Sequence, residues 1–446
     1  MLSREDNDIL TLTGPGTAMG GYFRRYWIPF ALARELPERD GPPIRVEILG
    51  EKLLAFRDSE GRVGLIEGKC SHRGADLYWG RNEDCGIRCV FHGFKFDVEG
   101  NCVDMPIMIE TEALRARAKI LAYPTLERGG LLWAYMGPAE RKPAPPDLEF
   151  MVVPENHAYV SKKLQECNWA QAVEGALDTA HFSFLHNVIT TDEAEAKALM
   201  RGAAIATQSV ANDRIRWVRA DRMPRFTILP HATGMTIGAS RRTDDSDLYW
   251  RIAQFLLPNH ALVPSSFPGE VYHGQCWVPI NDTHCWIYTY TWHPDRPLTD
   301  AEIEGYRTGH SIHAEVDGKF VPLRHRANEY LIDRQEQKTK TYTGIKGVSE
   351  QDACIQDSQG FIADRQRELL GPTDIGVVRF RQVMLQGAKA LREGREPDAA
   401  GQPAAYRVRG GGWVASGDKG LEEVMVERFG HPRGLVESPS GRQAAE

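Results

Sequence analysis

Two short stretches carry donors for a metal cluster: Cys70-Ser71-His72-Arg73-Gly74 and Cys89-Val90-Phe91-His92-Gly93. Each pairs a thiol with an imidazole, once as Cys-x-His and once as Cys-x-x-His, with sixteen residues between the pairs. A [2Fe-2S] cluster of the Rieske type needs this donor set. Thiolates of Cys70 and Cys89 hold one iron and neutral imidazoles of His72 and His92 the other, which raises the reduction potential above that of an all-cysteine cluster. Zinc also takes two Cys and two His, and Cys-x-x-His alone is common. Against zinc, the Cys-x-His half is tighter than usual zinc-finger spacing, and Gly74 and Gly93 follow the two halves, where the backbone must wrap a bulky cluster. The chain reads as one that handles electrons.

A second donor set lies downstream. Trp169, Val173 and Ala176-Leu177 recur at helical spacing, which predicts a helix that carries Asp178 and His181 on one face. His186 follows five residues after His181. On a regular helix such a pair is about 140° apart, so the helix must distort or end between them if both bind one ion. A His-x4-His pair with one carboxylate is the ligand set of a mononuclear non-haem iron, with positions left open for dioxygen and substrate. Two histidines at this spacing are by themselves more often core or surface residues. The cluster loops upstream reverse that reading.

The scaffold is read from pattern. At 446 residues two domains are the natural expectation. Short strands with tight turns, such as Lys52 to Phe56 and Val63 to Ile66 around Asp58-Ser59-Glu60-Gly61, predict a β-rich N-terminal domain whose hairpins project the cluster loops. Leu131 to Met136 adds a buried strand, and the Pro-rich, charged run 137–146 places a boundary there. Expected units are therefore 1–146, 147–437 and a flexible tail, 438–446. In the second unit, strands are expected at Arg214 to Val218, Met235 to Ala239, Tyr249 to Leu257, Cys276 to Val278 and Cys285 to Trp292. Helices are expected at Ala301 to Tyr306, Ala327 to Gln337 and Asp374 to Arg392. The loop Gly14 to Gly20 lacks the spacing and the preceding strand of a dinucleotide site.

Composition excludes other classes. Hydrophobic residues at 42%, charged residues at 26% and a net charge of −7 describe a globular chain with no electrostatic footprint for nucleic acid or anionic membrane. No apolar run reaches the length of a membrane span and no secretory h-region opens the chain, so it is expected to be cytoplasmic. Eight scattered cysteines are not a disulfide scaffold.

The cluster loops, together with Asn168-Trp169, Glu174-Gly175, Asp178, His181, His186 and the late block Glu350-Gln351-Asp352 to Gln359-Gly360 with Asp364-Arg365, resemble the Rieske non-haem iron aromatic-ring oxygenases, phthalate dioxygenase-like branch. The sequence departs from that pattern at Val90, where Pro is usual, and at Phe94, where Trp is frequent. The resemblance covers nearly the whole chain. It implies an α+β protein: an all-β Rieske domain, then a catalytic domain with a large antiparallel sheet flanked by helices, of helix-grip type. It implies a [2Fe-2S] cluster and mononuclear Fe(II), with Asp352 as the third ligand and Asp357 the fallback. It implies that Asp178 links His181 to a cluster histidine of a neighbouring subunit, in a homotrimer or stacked trimers.

The resemblance further implies that electrons come from NADH through a separate flavin and iron-sulfur reductase, since no GxGxxG unit exists in this chain. The expected reaction is dihydroxylation of an aromatic carboxylate with O2, the acid being a substituted benzoate such as chlorobenzoate, or phthalate. Of the anchoring candidates Arg219, Arg222, Arg241 and Arg242, Arg241 ranks first because it ends an apolar strand. O-demethylation by the same centres, an electron carrier and a non-catalytic binding module are the rival readings.

Overall fold

The computed structural model describes residues 1–109, 111–189 and 209–437. The expected tail, 438–446, lies outside them.

Three small antiparallel sheets make up the N-terminal region. A four-stranded sheet runs β2 (Ile44–Ile48), β3 (Glu51–Arg57), β4 (Val63–Glu67) and β9 (Ala122–Tyr123), and a second runs β5 (Arg81–Glu83), β6 (Gly86–Arg88), β7 (Lys95–Phe96) and β8 (Cys102–Asp104). Between them Leu54, Phe56, Ile66, Ile87, Phe94 and Phe96 form a small core that also buries Cys70 and Cys89. The third sheet, β1 (Trp27–Leu32), β11 (Leu131–Tyr135) and β10 (Thr125–Arg128), packs instead into the large core of the second region. Every residue of β1 and β11 is buried. The cluster loops thus stand on a core of their own, and the two ends of the N-terminal region are stitched into the catalytic core.

That second core lies on an eight-stranded antiparallel sheet. Its order is β12 (Ala158–Gln165), β18 (Cys285–Trp292), β17 (Tyr272–Pro279), β16 (His260–Leu262), β15 (Asp247–Leu256), β14 (Gly234–Arg242) and β13 (Arg225–His231), with β19 (Gly411–Ser416) paired to β15. Most of the central strands are buried along their whole length rather than at alternate positions, because both faces are covered. The helices Trp169–Leu177 and Ile375–Arg392 join this core through Trp169, Val173, Phe380 and Met384. This is the α+β architecture the sequence leads one to expect.

Two expected elements differ. Arg214 to Val218 belongs to the helix Ser209–Ala220, where Arg214 and Val218 are buried one turn apart. Alternating Arg214-Ile215-Arg216-Trp217-Val218 imitates a strand, but tertiary packing decides. The expected helix Ala327 to Gln337 is broken by left-handed backbone at Glu329, Tyr330 and Leu331 and resumes only as Arg334–Thr339.

Candidate metal centres and catalytic cavity

The two cluster loops are the same turn built twice. Gly74 N–H donates to Cys70 O at 2.8 Å and Gly93 N–H to Cys89 O at 2.9 Å; Cys70 N–H donates to Ala75 O and Cys89 N–H to Phe94 O. Both glycines take positive φ, +70° and +79°, as such a turn requires. Gly93 has a second reason to lack a side chain: a Cβ there would stand 2.7 Å from Pro106. The loops bring the thiols of Cys70 and Cys89 into hydrogen-bonding contact, where burial and the neighbouring thiol push Cys70 up. The rings of His72 and His92 meet edge-to-face at 4.6 Å, and His72 stacks on Phe94 at 4.7 Å. His92 Nδ1 is buried and has no hydrogen-bond partner. A buried ring nitrogen left without a partner on the second of two paired Cys/His loops fits an iron ligand.

In the second region Asn168 starts the helix, its side chain accepting from Ala170 N–H while its amide ties down Thr11 O and Asp282 O. The helix ends at Leu177, before His181 rather than between the histidines. Asp178 turns out of it and His181 opens a separate 3₁₀ turn, His181–Ser183. The break brings His181 Nε2 to 3.1 Å from His186 Nε2. Asp352, on the helix Val348–Ser358, places Oδ1 3.6 Å from the first and 3.2 Å from the second. Three ligand atoms, two imidazole nitrogens and one carboxylate oxygen, thus converge on one point.

Neighbours aim them. Gln351 Nε2 donates to Ile345 O at 2.8 Å, so its Oε1 faces His186 Nδ1, 2.7 Å away, and must accept from it. Asp178 Oδ2 stands 3.6 Å from His181 Nδ1. Both imidazoles therefore keep their Nδ1 side occupied and turn Nε2 inward, as a metal-binding histidine does when a neighbouring acceptor fixes its tautomer. Burial raises the Asp178 carboxyl, but His181 and the Ala180 N–H outweigh it and hold it below the ordinary carboxylate value. Asp357 is not in the group: it accepts from the Tyr330 hydroxyl on the other side of the helix, and burial raises its carboxyl.

Long-range contacts fix the spacing of the two helices. A Cβ on Gly175 would lie 2.1 Å from Gln356 Nε2, so a larger residue there must displace the Gln356 side chain that packs between the helices. Glu174, one position earlier, receives Arg365 (2.9 and 3.1 Å) and Arg381 (2.8 Å). Arg365 continues to Asn7 Oδ1 at 3.0 Å, so the late block and the N-terminal helix together hold the helix Trp169–Leu177 that leads to the donors.

The three donors open onto a cavity of about 90 Å³, walled also by Asp178, Phe182, Arg251, Val263, Gln275 and Ser311. Arg241 is not on that wall. It is fully buried behind it, its guanidinium donating to Thr179 O at 2.9 Å and Asp221 O at 3.2 Å. Nor is a cavity contact made by Arg219, which donates to Val188 O, or by exposed Arg242. The cavity cation is Arg251, held by Nε on Thr179 Oγ1 at 2.8 Å and lying 4.5 Å over the Phe182 ring. Among the described residues it has no carboxylate partner. Strand alternation explains the exchange: Ala239 stands opposite Arg251 in the register, so Arg251 shares the face of Ala239 and Arg241, but nearer the cavity. The signal in the sequence was a lone cation inside the apolar run Tyr249 to Leu257.

Residues 26–115 match the Rieske [2Fe-2S] domain family, and residues 134–409 match the family described as LigXa C-terminal domain like. The chain belongs to the Rieske non-haem iron oxygenases. It is 37% identical over 416 residues to the phthalate 4,5-dioxygenase oxygenase subunit of Pseudomonas putida, covering 91% of this chain and 90% of that one. To the 3-chlorobenzoate-3,4-dioxygenase oxygenase subunit of Comamonas testosteroni it is 35% identical, covering 87% and 89%. The fold is that of dicamba monooxygenase bound to dicamba, at a TM-score of 0.57 and 18% identity over 84% of this chain and 99% of that one. This oxygenase is accordingly an oxidoreductase component with a [2Fe-2S] cluster and a mononuclear iron. No helix among the described residues is long and apolar enough to cross a membrane.

Proposed function

We propose that this oxygenase dihydroxylates an aromatic carboxylate, a substituted benzoate or a phthalate, using O2 and electrons from a separate NADH-dependent flavin and iron-sulfur reductase. The observation that carries the substrate class is Arg251, a buried cation without a carboxylate partner among the described residues, on the same cavity wall as His181, His186 and Asp352. A substrate carboxylate supplies that partner, and a guanidinium takes it in two parallel hydrogen bonds. One anchor suffices for a benzoate. When bound, the two iron groups supply one-electron transfer and dioxygen activation.

In this reading Cys70, His72, Cys89 and His92 hold the cluster, and His181, His186 and Asp352 hold the mononuclear iron. Asp178 and Gln351 fix the imidazole tautomers, and Arg251 and Phe182 orient the ring. The active assembly is a homotrimer or stacked trimers. Supporting it, the cavity wall begins at Gly175 and includes no part of the Rieske region, while the second cluster loop presents exposed Val90 and Phe91 and the turn Leu77–Trp79 presents exposed Trp79. The cluster of a neighbouring subunit then delivers electrons beside Asp178.

The iron-loaded protein, given reductase, NADH and O2, is to be offered benzoates, phthalates and methoxybenzoates; cis-diols are the expected products. Formaldehyde would identify demethylation instead, a reading supported by 30% identity to the 5,5'-dehydrodivanillate O-demethylase oxygenase subunit of Sphingobium sp. (strain NBRC 103272 / SYK-6), covering 90% of this chain and 83% of that one. Arg251→Gln is expected to raise the KM for phthalate or 3-chlorobenzoate about ten- to hundredfold, the worth of a charge-assisted hydrogen bond. An unchanged KM for every acid tested would sink the anchor.

A further inference from the structure

A chain of hydrogen-bonded side chains leads away from the catalytic cavity, and neither the metal ligands nor Arg251 use it. His273 on β17 and Thr291 on β18 stand directly opposite each other in the register, with His273 Nδ1 2.7 Å from Thr291 Oγ1. The same Oγ1 lies 2.8 Å from His313 Nε2, and His313 Nδ1 lies 2.7 Å from Ser161 Oγ on β12. At the other end Ser311 Oγ is 3.4 Å from His273 Nε2, the longest step, and Ser311 is part of the cavity wall. His313 and Thr291 are fully buried, His273 and Ser311 are nearly so, and Ser161 is partly exposed. Ser311 also sits at φ +59°, a left-handed backbone that non-glycine residues rarely take. Strain of this kind collects at functional sites.

We propose that Ser161, His313, Thr291, His273 and Ser311 form a proton relay into the catalytic cavity. The proposal rests on the oxygen chemistry assigned above, because either version of it consumes protons. Dihydroxylation adds both atoms of O2 to the ring with two electrons, supplied by NADH through the reductase, and two protons, supplied by solvent. Those protons need a route to the reduced oxygen.

Donor counting gives the relay a direction. Each hydroxyl and each neutral imidazole has one hydrogen to give and can accept one. Burial keeps both imidazoles neutral, pushing His273 down to about 4 and His313 well below its ordinary value. The charges near them are Glu270 and Glu302, which pull His273 up, and Arg34, which pushes His313 down. Tyr159 and Tyr306 pack their rings on His313 at 5.2 and 4.9 Å.

A continuous chain then has two orders. Pointing inward, Ser161 donates to His313 Nδ1, His313 Nε2–H to Thr291, Thr291 to His273 Nδ1, His273 Nε2–H to Ser311, and Ser311 into the cavity. Pointing outward, every bond reverses and both imidazoles carry Nδ1–H. One passage converts the first order to the second: a solvent proton joins Ser161 as each member passes its own proton on, and the Ser311 proton leaves for the reduced oxygen. No member ends with a net charge. The relay resets when both imidazoles return to the Nε2–H tautomer.

Thr291→Val keeps the shape and removes the central link. With reductase, NADH, O2 and phthalate or 3-chlorobenzoate, product formation by the iron-loaded variant is expected to fall about tenfold or more. NADH oxidation is expected to be diverted to hydrogen peroxide and the solvent deuterium isotope effect to grow, with KM and iron content unchanged. Thr291→Ser, which keeps the hydroxyl, is expected to restore the wild-type values. A wild-type rate and isotope effect in Thr291→Val would overturn the relay, and so would an equal loss in Thr291→Ser, which would make the role one of packing. Failure of the assigned function looks different: the wild-type protein itself would make no product from any acid. Neutron diffraction on deuterium-exchanged crystals tests the relay without turnover. His273 and His313 in the same tautomer are expected; opposite tautomers would overturn it.

Discussion

The two metal regions of this oxygenase are assembled in opposite ways. The cluster donors all fall between positions 70 and 92, on two copies of one glycine-closed turn standing on a small core of their own. The mononuclear donors run from position 181 to position 352, on a 3₁₀ turn, an irregular segment and a helix that meet only in the folded chain. What keeps the second set in place joins segments remote from each other in sequence: the contact of Gly175 with Gln356 and the ion network of Glu174 with Arg365 and Arg381. A site of the first kind is made by local backbone geometry. One of the second kind inherits every error in packing.

If the regions are independent, removing a donor from one should spare the other. Cys89→Ala is expected to abolish the visible absorbance of the cluster while iron still binds at His181, His186 and Asp352. Asp352→Ala is expected to do the reverse, with turnover down about a hundredfold or more, since even outer-shell changes at metal sites cost up to that. Asp357→Asn should keep the mononuclear iron, because Asp357 faces Tyr330. Metal analysis and electron paramagnetic resonance of the three variants read this directly. Full iron occupancy in Asp352→Ala would break the comparison at its strongest point.

The same contrast explains what could be read from the sequence. The cluster loops were legible because spacing alone specifies a local turn. His181 and His186 were legible only with those loops beside them, and Asp352 only through the late block that also contains Gln351. The position of Arg251 was not legible: alternation along a strand says which face a residue shares, not how far along that face a cavity opens. Arg241 shares the face and lies behind the wall. The helix Ser209–Ala220 was missed because its short alternating run fits a strand equally well, and the packing of Trp217 on Tyr249 at 5.6 Å decides between them. His273, Thr291 and His313 gave no signal, since a polar residue on a strand is ordinary until its partners are placed.

Glycine substitutions sharpen the comparison with a smaller effect. Gly175→Ala pushes a Cβ against Gln356 and is expected to destabilise the protein by about 1–3 kcal/mol, the range for overpacking, and to weaken iron binding while leaving the cluster spectrum intact. Gly93→Ala meets both a positive φ and Pro106 and is expected to disturb the cluster alone. Thermal unfolding with separate assays of the two metals distinguishes them. Loss of the cluster in Gly175→Ala would show that the regions are coupled after all.

The smallest effect is a pH dependence confined to the second region. Burial raises the Glu174 carboxyl, but Arg365 and Arg381 outweigh it and hold it below its ordinary value near 4.5. A group whose folded value is depressed contributes stability that is complete above the unfolded value and fades as pH falls through the folded one. Comparing wild type with Glu174→Gln, the gap between their unfolding midpoints is therefore expected to be constant near neutrality and to narrow below about pH 4.5, by a few degrees at most. The narrowing should accompany release of the mononuclear iron, because the network ties the helix that leads to Asp178 and His181 to the late block. A gap that stayed constant down to pH 3 would mean that Glu174 serves by shape rather than by charge.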